Sequence, residues 1–295
     1  MRIGLALPQY EIDVARSADL SWSLTTAARR AEALSLDSVW LSDHPFAVAP
    51  DGMVSGAMEA MTTLASLARA TRQIAVGTLV LAATMRAPAL LRNVARTMSL
   101  SAGDRLMLGL GTGWYSPEHR AYGIELPSYR DRIEMLRACL CALDELGERR
   151  PSVLVGGAGP EVMELAAAYA DIWNVSWDVP ADRFRSLSRS LDAVCERGGR
   201  DPSSLRRSVG LTVLAADGDA DIDAAVGNLR ARAPFLAAVT RDALEGRIVV
   251  GDASSCAERI LAYGADEVVI APLLRDDEEM VRLLATGVAS RLRDA

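Results

Sequence analysis

Leu106-Met-Leu-Gly-Leu-Gly-Thr-Gly-Trp114 carries an unbroken apolar run straight into a glycine-rich turn. A short apolar run that does not alternate marks a parallel strand covered on both faces, and Gly109, Gly111 and Gly113 leave room for backbone or a flat ligand to approach. Helical patterns flank the stretch, and α/β folds place their ligands at such strand-to-turn junctions. Working outward, further short apolar runs lie near Ile3–Leu7, Ser38–Leu41, Ile74–Leu81, Val153–Val155, Ile172–Val175, Ser208–Ala215 and Glu267–Ala271. Amphipathic stretches separate them, giving about eight strand–helix units. Right-handed crossovers close such a series into a (β/α)8 TIM barrel, although a doubly wound open sheet would show the same alternation; count and length favour the barrel. The helices carry matching punctuation: Pro88 after Ala87, Gly147 at the end of a run, and Pro160 opening Glu161–Ala170. The irregular zones Pro45–Ser55, Tyr115–Ser128 and Asp217–Arg247 would be loops or embellishments over the barrel mouth.

A chain of 295 residues, 50% apolar and 24% charged, has an ordinary globular composition, and without a linker or repeat it is expected to form one domain over 1–295. No apolar run reaches the roughly 18 residues of a membrane span. Met1-Arg-Ile-Gly-Leu-Ala-Leu-Pro8 reads as a first strand and not as a secretion signal, so a cytoplasmic location and no membrane partner are expected. The four cysteines, Cys139, Cys141, Cys195 and Cys256, form no C-x-x-C pair and read as reduced thiols.

All 32 basic residues are arginine, which rules out a lysine Schiff base with pyridoxal phosphate or a carbonyl substrate. With only His44 and His119, a multi-histidine metal centre cannot be assembled, and no metal is expected. A net charge of −7, 5% aromatics and no long basic run argue against a nucleic-acid partner.

Val39-Trp-Leu-Ser-Asp-His-Pro45 ends a strand with an acid beside an imidazole, where barrel enzymes display catalytic groups. Imidazole exchanges protons near neutral pH, so His44 suits a proton-coupled step; a capping or packing role is the alternative. Gly77 inside an apolar strand marks a bulge under a flat ligand or a packing device. Val155-Gly-Gly-Ala-Gly-Pro160 runs strand, glycines, helix start, which suits a phosphate on backbone amides or a simple tight turn. Trp173 reads as core, while Trp177 is core or rim.

Five landmarks in order resemble the bacterial luciferase-like family of flavin- and deazaflavin-dependent oxidoreductases: Ser42-Asp-His44, Gly77-Thr78 through Arg86-x-Pro88, Leu108-Gly-Leu-Gly-Thr-Gly-Trp114, Val155-Gly-Gly-x-Gly-Pro160 and Ala170-Asp-Ile-Trp-Asn174. Val250-Gly251, Glu258-Arg259 and Gly264-Ala-Asp266 are similar to its closing segment. The resemblance implies a (β/α)8 barrel holding the redox ring over a bulge in the third strand, with a non-prolyl cis peptide at Leu79–Val80. It also implies catalytic roles for His44 and Asp43, the imidazole beside the carbon that exchanges hydride and Asp43 on the ring or orienting its neighbour. Thr78, Leu79, Val80, Ala82, Thr112 and Trp114 would then line the ring, and Gly156, Gly157 and Ala158 would take the phosphate near Ser176 and Trp177.

The Ser-Asp-His strand end resembles members that use the deazaflavin coenzyme F420, with FMN as the alternative cofactor. Three readings follow: an F420-dependent oxidoreductase acting on a small organic substrate, an FMN-dependent monooxygenase using reduced flavin and oxygen, and a non-catalytic flavin-binding relative. Trp114 stands where sugar-phosphate-dehydrogenating relatives carry a catalytic glutamate, which disfavours a sugar phosphate. Ser99-Leu-Ser-Ala-Gly-Asp-Arg105 keeps only the glycine and arginine of the family's pattern, and Leu146-Gly-Glu-Arg-Arg-Pro151 replaces its usual long insertion. The family is frequently dimeric, so a homodimer is expected.

Overall fold

The computed structural model describes residues 1–10, 20–48, 54–177, 179–232, 238–273 and 278–294. Eight strands form the barrel: β1 (Arg2–Ala6), β2 (Ser38–Leu41), β3 (Ala75–Ala82), β4 (Leu106–Gly111), β5 (Ser152–Gly156), β6 (Ile172–Ser176), β7 (Arg206–Ala215) and β8 (Glu267–Pro272). Each pairs in parallel with its sequence neighbour, and β8 pairs with β1 through Ile3 and Val268, so the sheet closes on itself. Closure excludes the open doubly wound sheet. A short additional strand, Val249–Gly251, pairs with Val213–Ala215 at the carboxyl end of β7.

The connecting helices are α1 (Leu20–Ala33), α2 (Ala60–Ala70), α3 (Pro88–Ala102), α4 (Ser116–Ala121), α5 (Tyr129–Asp144), α6 (Pro160–Tyr169), α7 (Ala181–Arg197), α8 (Asp219–Arg232), α9 (Arg241–Glu245) and α10 (Ala253–Leu261). Pro88 and Pro160 begin α3 and α6, where the missing N–H removes no helical hydrogen bond. Glu59 caps α2 by accepting from the amides of Met61 at 3.1 Å and Thr62 at 2.7 Å.

The three irregular zones hold more regular structure than their sequence advertises. Phe46–Val48 and Val54–Gly56 form an antiparallel hairpin, and residues 49–53 between them lie outside the described residues. Tyr115–Ser128 contains α4, and Asp217–Arg247 contains α8 and α9, apart from residues 233–237, which also lie outside the description. Among the described side chains of α8, Ile222, Val226 and Leu229 are the buried ones, a stripe one residue wide among aspartates and alanines.

The core has two layers. Apolar side chains between barrel and helices form the larger cluster, and a smaller one of Ala6, Trp40, Leu79, Met107, Leu154, Ile172, Val269 and Ala271 fills the barrel itself. Trp40 lies across the barrel axis because Gly4 and Gly77 leave space for it: a Cβ at Gly4 would sit 2.5 Å from its Nε1, and one at Gly77 would sit 2.6 Å from its Cζ3. Gly77 is therefore a packing device. The irregularity of β3 falls one residue later, between Thr78 and Leu81, and includes the cis Leu79–Val80 bond. All four cysteines are free; burial pushes the thiols of Cys139 and Cys256 up to about 11 and about 12, and Cys141 bonds the Tyr169 hydroxyl.

Candidate active site

The carboxyl ends of β2 to β6 surround a cavity of about 420 Å³. Its floor is Val80, whose side chain rests on three glycines: a Cβ at Gly109, Gly111 or Gly156 would come within 3.0 Å, 2.8 Å or 2.9 Å of a Val80 methyl. The glycines of β4 and β5 thus admit Val80, and its surface lines the cavity. Leu79, Ala82, Thr112, Trp114, Gly156, Gly157, Ser176 and Trp177 line the same cavity, as do Asp43 and His44. Thr78 does not: fully buried, it exchanges hydrogen bonds with Gly109, donating to the carbonyl at 3.1 Å and accepting from the amide at 3.0 Å. Ala158 also stands back, packed against the outer core.

Asp43 and His44 point to different tasks. Asp43 accepts from the Arg86 guanidinium through both oxygens, at 2.6 Å and 2.7 Å, and from the Ala82 amide at 2.8 Å. Burial pushes this carboxyl up, while the guanidinium and amide draw it back by bonding the ionised form. With its oxygens engaged, Asp43 ties the end of β2 to the end of β3. Ser42 is gripped as well, since the Gln9 side chain accepts from its amide at 2.7 Å and donates to its carbonyl at 2.6 Å.

His44 emerges from this clamp with its side chain 34% exposed and Nδ1 2.8 Å from Oε1 of Glu118. Trp114 and Tyr115 meet its ring edge-on, at centroid distances of 5.8 Å and 6.1 Å. Glu118, on α4, is buried and was not singled out by the sequence. Its partner lies 74 positions away, and the sole local signal was a carboxylate beside the second histidine, after the glycine turn. That second histidine, His119, is buried, with Nε2 2.9 Å from the Thr84 hydroxyl and Nδ1 3.0 Å from the Tyr115 carbonyl.

Around the phosphate candidate, the Gly157 amide donates to the Asn174 carbonyl at 3.0 Å and the Gly157 carbonyl accepts from Trp173 Nε1 at 2.8 Å. The Gly157 N–H is therefore committed inside the fold. Trp173 is core, stacked on Phe184, and Trp177 is at the rim, 38% exposed. Ser176 donates to Asn174 Oδ1 at 2.6 Å, and Asn174 donates to Ser208 at 2.9 Å, a polar ladder descending from the rim. The Ser176–Trp177 bond is also cis, and Gly210 makes the approach possible, since its Cβ would lie 2.1 Å from Ser176 Oγ. Arg132 donates to the Gly113 carbonyl and lies 5.5 Å from the Tyr129 ring centroid; its buried Nε has no partner among the described residues.

Two further cavities meet His44. One of about 210 Å³ lies towards Leu7, Gln9 and Tyr10, and an apolar groove of about 660 Å³ runs outward between α2 and α3.

A closed parallel barrel with an imidazole and a glycine-supported shelf at its carboxyl rim defines the class as a TIM barrel with its candidate site in the usual place. A family model described as luciferase-like monooxygenase matches residues 22–238, and the chain belongs to that family. The F420-dependent glucose-6-phosphate dehydrogenase of Amycolatopsis mediterranei (strain U-32) is 36% identical over 124 residues, which is 42% of this chain and 37% of that protein. The match thus spans little more than a third of that dehydrogenase. A phthiodiolone/phenolphthiodiolone dimycocerosates ketoreductase of Mycobacterium sp. (strain JLS) is 25% identical over 276 residues, covering 79% of this chain and 72% of its own. Among solved structures, an F420-dependent secondary alcohol dehydrogenase in complex with an F420-acetone adduct superposes with a TM-score of 0.80 at 19% identity, covering 99% of both chains. The EDTA monooxygenase of Chelativorans sp. BNC1 gives 0.80 at 14% identity, covering 100% of this chain and 93% of that one. These likenesses establish the luciferase-like (β/α)8 fold.

Proposed function

We propose that the chain is a deazaflavin-dependent oxidoreductase that moves hydride between coenzyme F420 and a small organic substrate, with His44 as the catalytic proton-exchanging group. The observation that carries this reading is the position of His44: one ring nitrogen is held from inside the fold, and the ring stands at the junction of the shelf cavity with two others. The names of the F420-dependent relatives support it.

The residues present suit such a cofactor. Val80, raised on its glycines, offers an apolar shelf for a ring, with Leu79, Ala82, Thr112 and Trp114 beside it and Ser176 and Trp177 opposite. Gly156 and the turn before α6 would hold the phosphate, helped by the helix dipole. When bound, the deazaflavin supplies a ring carbon that takes or gives a hydride in two-electron steps. His44 receives the substrate's hydroxyl proton in one direction and returns it in the other. Asp43 fixes the backbone that carries His44 and braces Ala82 at the edge of the shelf.

FMN-dependent monooxygenation is the second reading, favoured by the fold shared with the EDTA monooxygenase. Titrating oxidised F420 and FMN into the wild type and His44→Ala separates the two. Under our reading F420 binds both proteins with similar affinity, and turnover collapses only in the variant. Tight FMN binding with oxygen consumption on reduction would replace it.

We also propose that the chain acts in the cytoplasm as one unit, and as a homodimer packed on the apolar groove between α2 and α3. Leu90 is 63% exposed there, and among the described residues no helix is long and apolar enough to cross a membrane. Sedimentation of wild type and Leu90→Glu tests the dimer: a two-fold mass for the first and a monomer for the second are expected.

A further inference from the structure

We infer that Glu118 is the positioning residue of His44, holding the imidazole by Nδ1 so that Nε2 alone faces the reacting substrate. This rests on the reading of His44 as the proton-exchanging group and adds the element that makes it directional.

The geometry has three parts. Oε1 of Glu118 lies 2.8 Å from Nδ1, and the two side chains are 3% and 34% exposed, so the pair runs from the interior outward to the cavity. An ionised carboxylate can only accept, so the contact puts the hydrogen on Nδ1, and in the neutral imidazole this leaves the lone pair on Nε2. This is the arrangement by which a buried acid sets the tautomer of a general-base histidine and stabilises the imidazolium when it forms.

The second part is the anchoring of the chain neighbours. Beside His44, Ser42 is paired with Gln9 and Asp43 with Arg86 and Ala82. Beside Glu118, His119 donates from Nδ1 to the Tyr115 carbonyl and accepts at Nε2 from the Thr84 hydroxyl, while Arg132 holds the carbonyl of Gly113. The contact is thus imposed from both sides by fixed backbone, unlike a surface ion pair formed between two free side chains.

The third part is supply. The rim position after the glycine turn is occupied by Trp114, and the acid comes from the first turn of α4, four positions later. In the proton step, the substrate's O–H bond breaks, its proton bonds to Nε2, and the resulting imidazolium keeps its Nδ1–H on Glu118; the reverse step returns the same proton.

Nitrogen-15 NMR of the cofactor-free protein tests this directly, because His44 and His119 are the only histidines. The expected wild-type spectrum has His44 protonated on Nδ1 and bare at Nε2. In Glu118→Gln the His44 pair shifts towards a tautomer mixture, while the His119 signals stay in place as an internal reference. In steady-state assays Glu118→Gln lowers kcat by about 10–100-fold with KM and F420 affinity unchanged. Combined with His44→Ala, it slows the enzyme no further than His44→Ala alone. A wild-type His44 protonated on Nε2 overturns the inference without any variant having to fold, as does an unchanged His44 spectrum in Glu118→Gln. Should the wild type turn over nothing with F420, the functional reading falls while the tautomer result still decides this one.

Discussion

At the amino ends of the strands, three aspartates repeat one contact. Asp37, before β2, donates its amide to the Ile3 carbonyl at 2.9 Å and accepts from the Ile3 amide at 2.8 Å. Asp171, before β6, does the same to Val153 on β5, at 2.8 Å and 2.7 Å, and Asp266, before β8, to Arg207 on β7, at 2.9 Å and 2.7 Å. The carboxyl ends are built from unlike parts: a glycine-supported valine, an acid locked to an arginine, an imidazole held by a distant glutamate. The base repeats because its task, starting a pair of strands in register, is the same at each place; the rim varies because its side chains face a cavity and share no common backbone task. Stability and chemistry are thereby assigned to opposite ends of the same strands.

The largest expected effect is at the rim. His44→Ala lowers kcat by about 10²–10⁴-fold, an effect far larger than the stability lost by leaving the Glu118 carboxylate without its partner, checked by steady-state kinetics and calorimetry. Asp37→Ala should do the converse, costing about 1–3 kcal/mol in urea unfolding with kcat preserved, because it strands the Ile3 amide. Loss of activity at constant stability in Asp37→Ala would break the division between the ends.

Gly210→Ala sharpens it from within one strand. The new Cβ would meet Ser176 Oγ at 2.1 Å and a Trp177 ring carbon at 3.0 Å, displacing both from the cavity wall. F420 affinity, read by fluorescence titration, should fall about tenfold, which is about 1.4 kcal/mol. The smallest effect is at the base, where Glu267 is buried with Oε2 on Arg206 at 3.1 Å and Oε1 unpartnered among the described residues. Burial pushes this carboxyl up, with Arg206 drawing it back, so the fold holds its proton more tightly than the unfolded chain does. That contribution to stability is complete below the ordinary value of 4.5 and is lost as pH rises through the raised one. Glu267→Gln should therefore flatten the decline of Tm as pH rises above 4.5.

All eight barrel strands were legible in the sequence to within two residues, because strands buried on both faces announce themselves as uninterrupted apolar runs. His44 and Asp43 were legible too, as polar residues terminating such a run. What escaped depended on partners remote in the chain. The bond between His44 and Glu118 joins β2 to α4; Gly77 makes sense only once Trp40 lies across it; and the Gly157 amide is claimed by Asn174 on the next strand. Thr78 misled because its neighbours in sequence face the cavity while its own hydroxyl bridges β3 and β4. Helix α8 escaped for a different reason, since a stripe of Ile222, Val226 and Leu229 is too narrow to stand out against its aspartates.

Trp40, seated between Gly4 and Gly77, corks the cylinder below the shelf. A molecule resting above that plug cannot pass through the barrel to its amino end; it must come and go on the carboxyl side, where the shelf cavity and the outward groove both open beside His44.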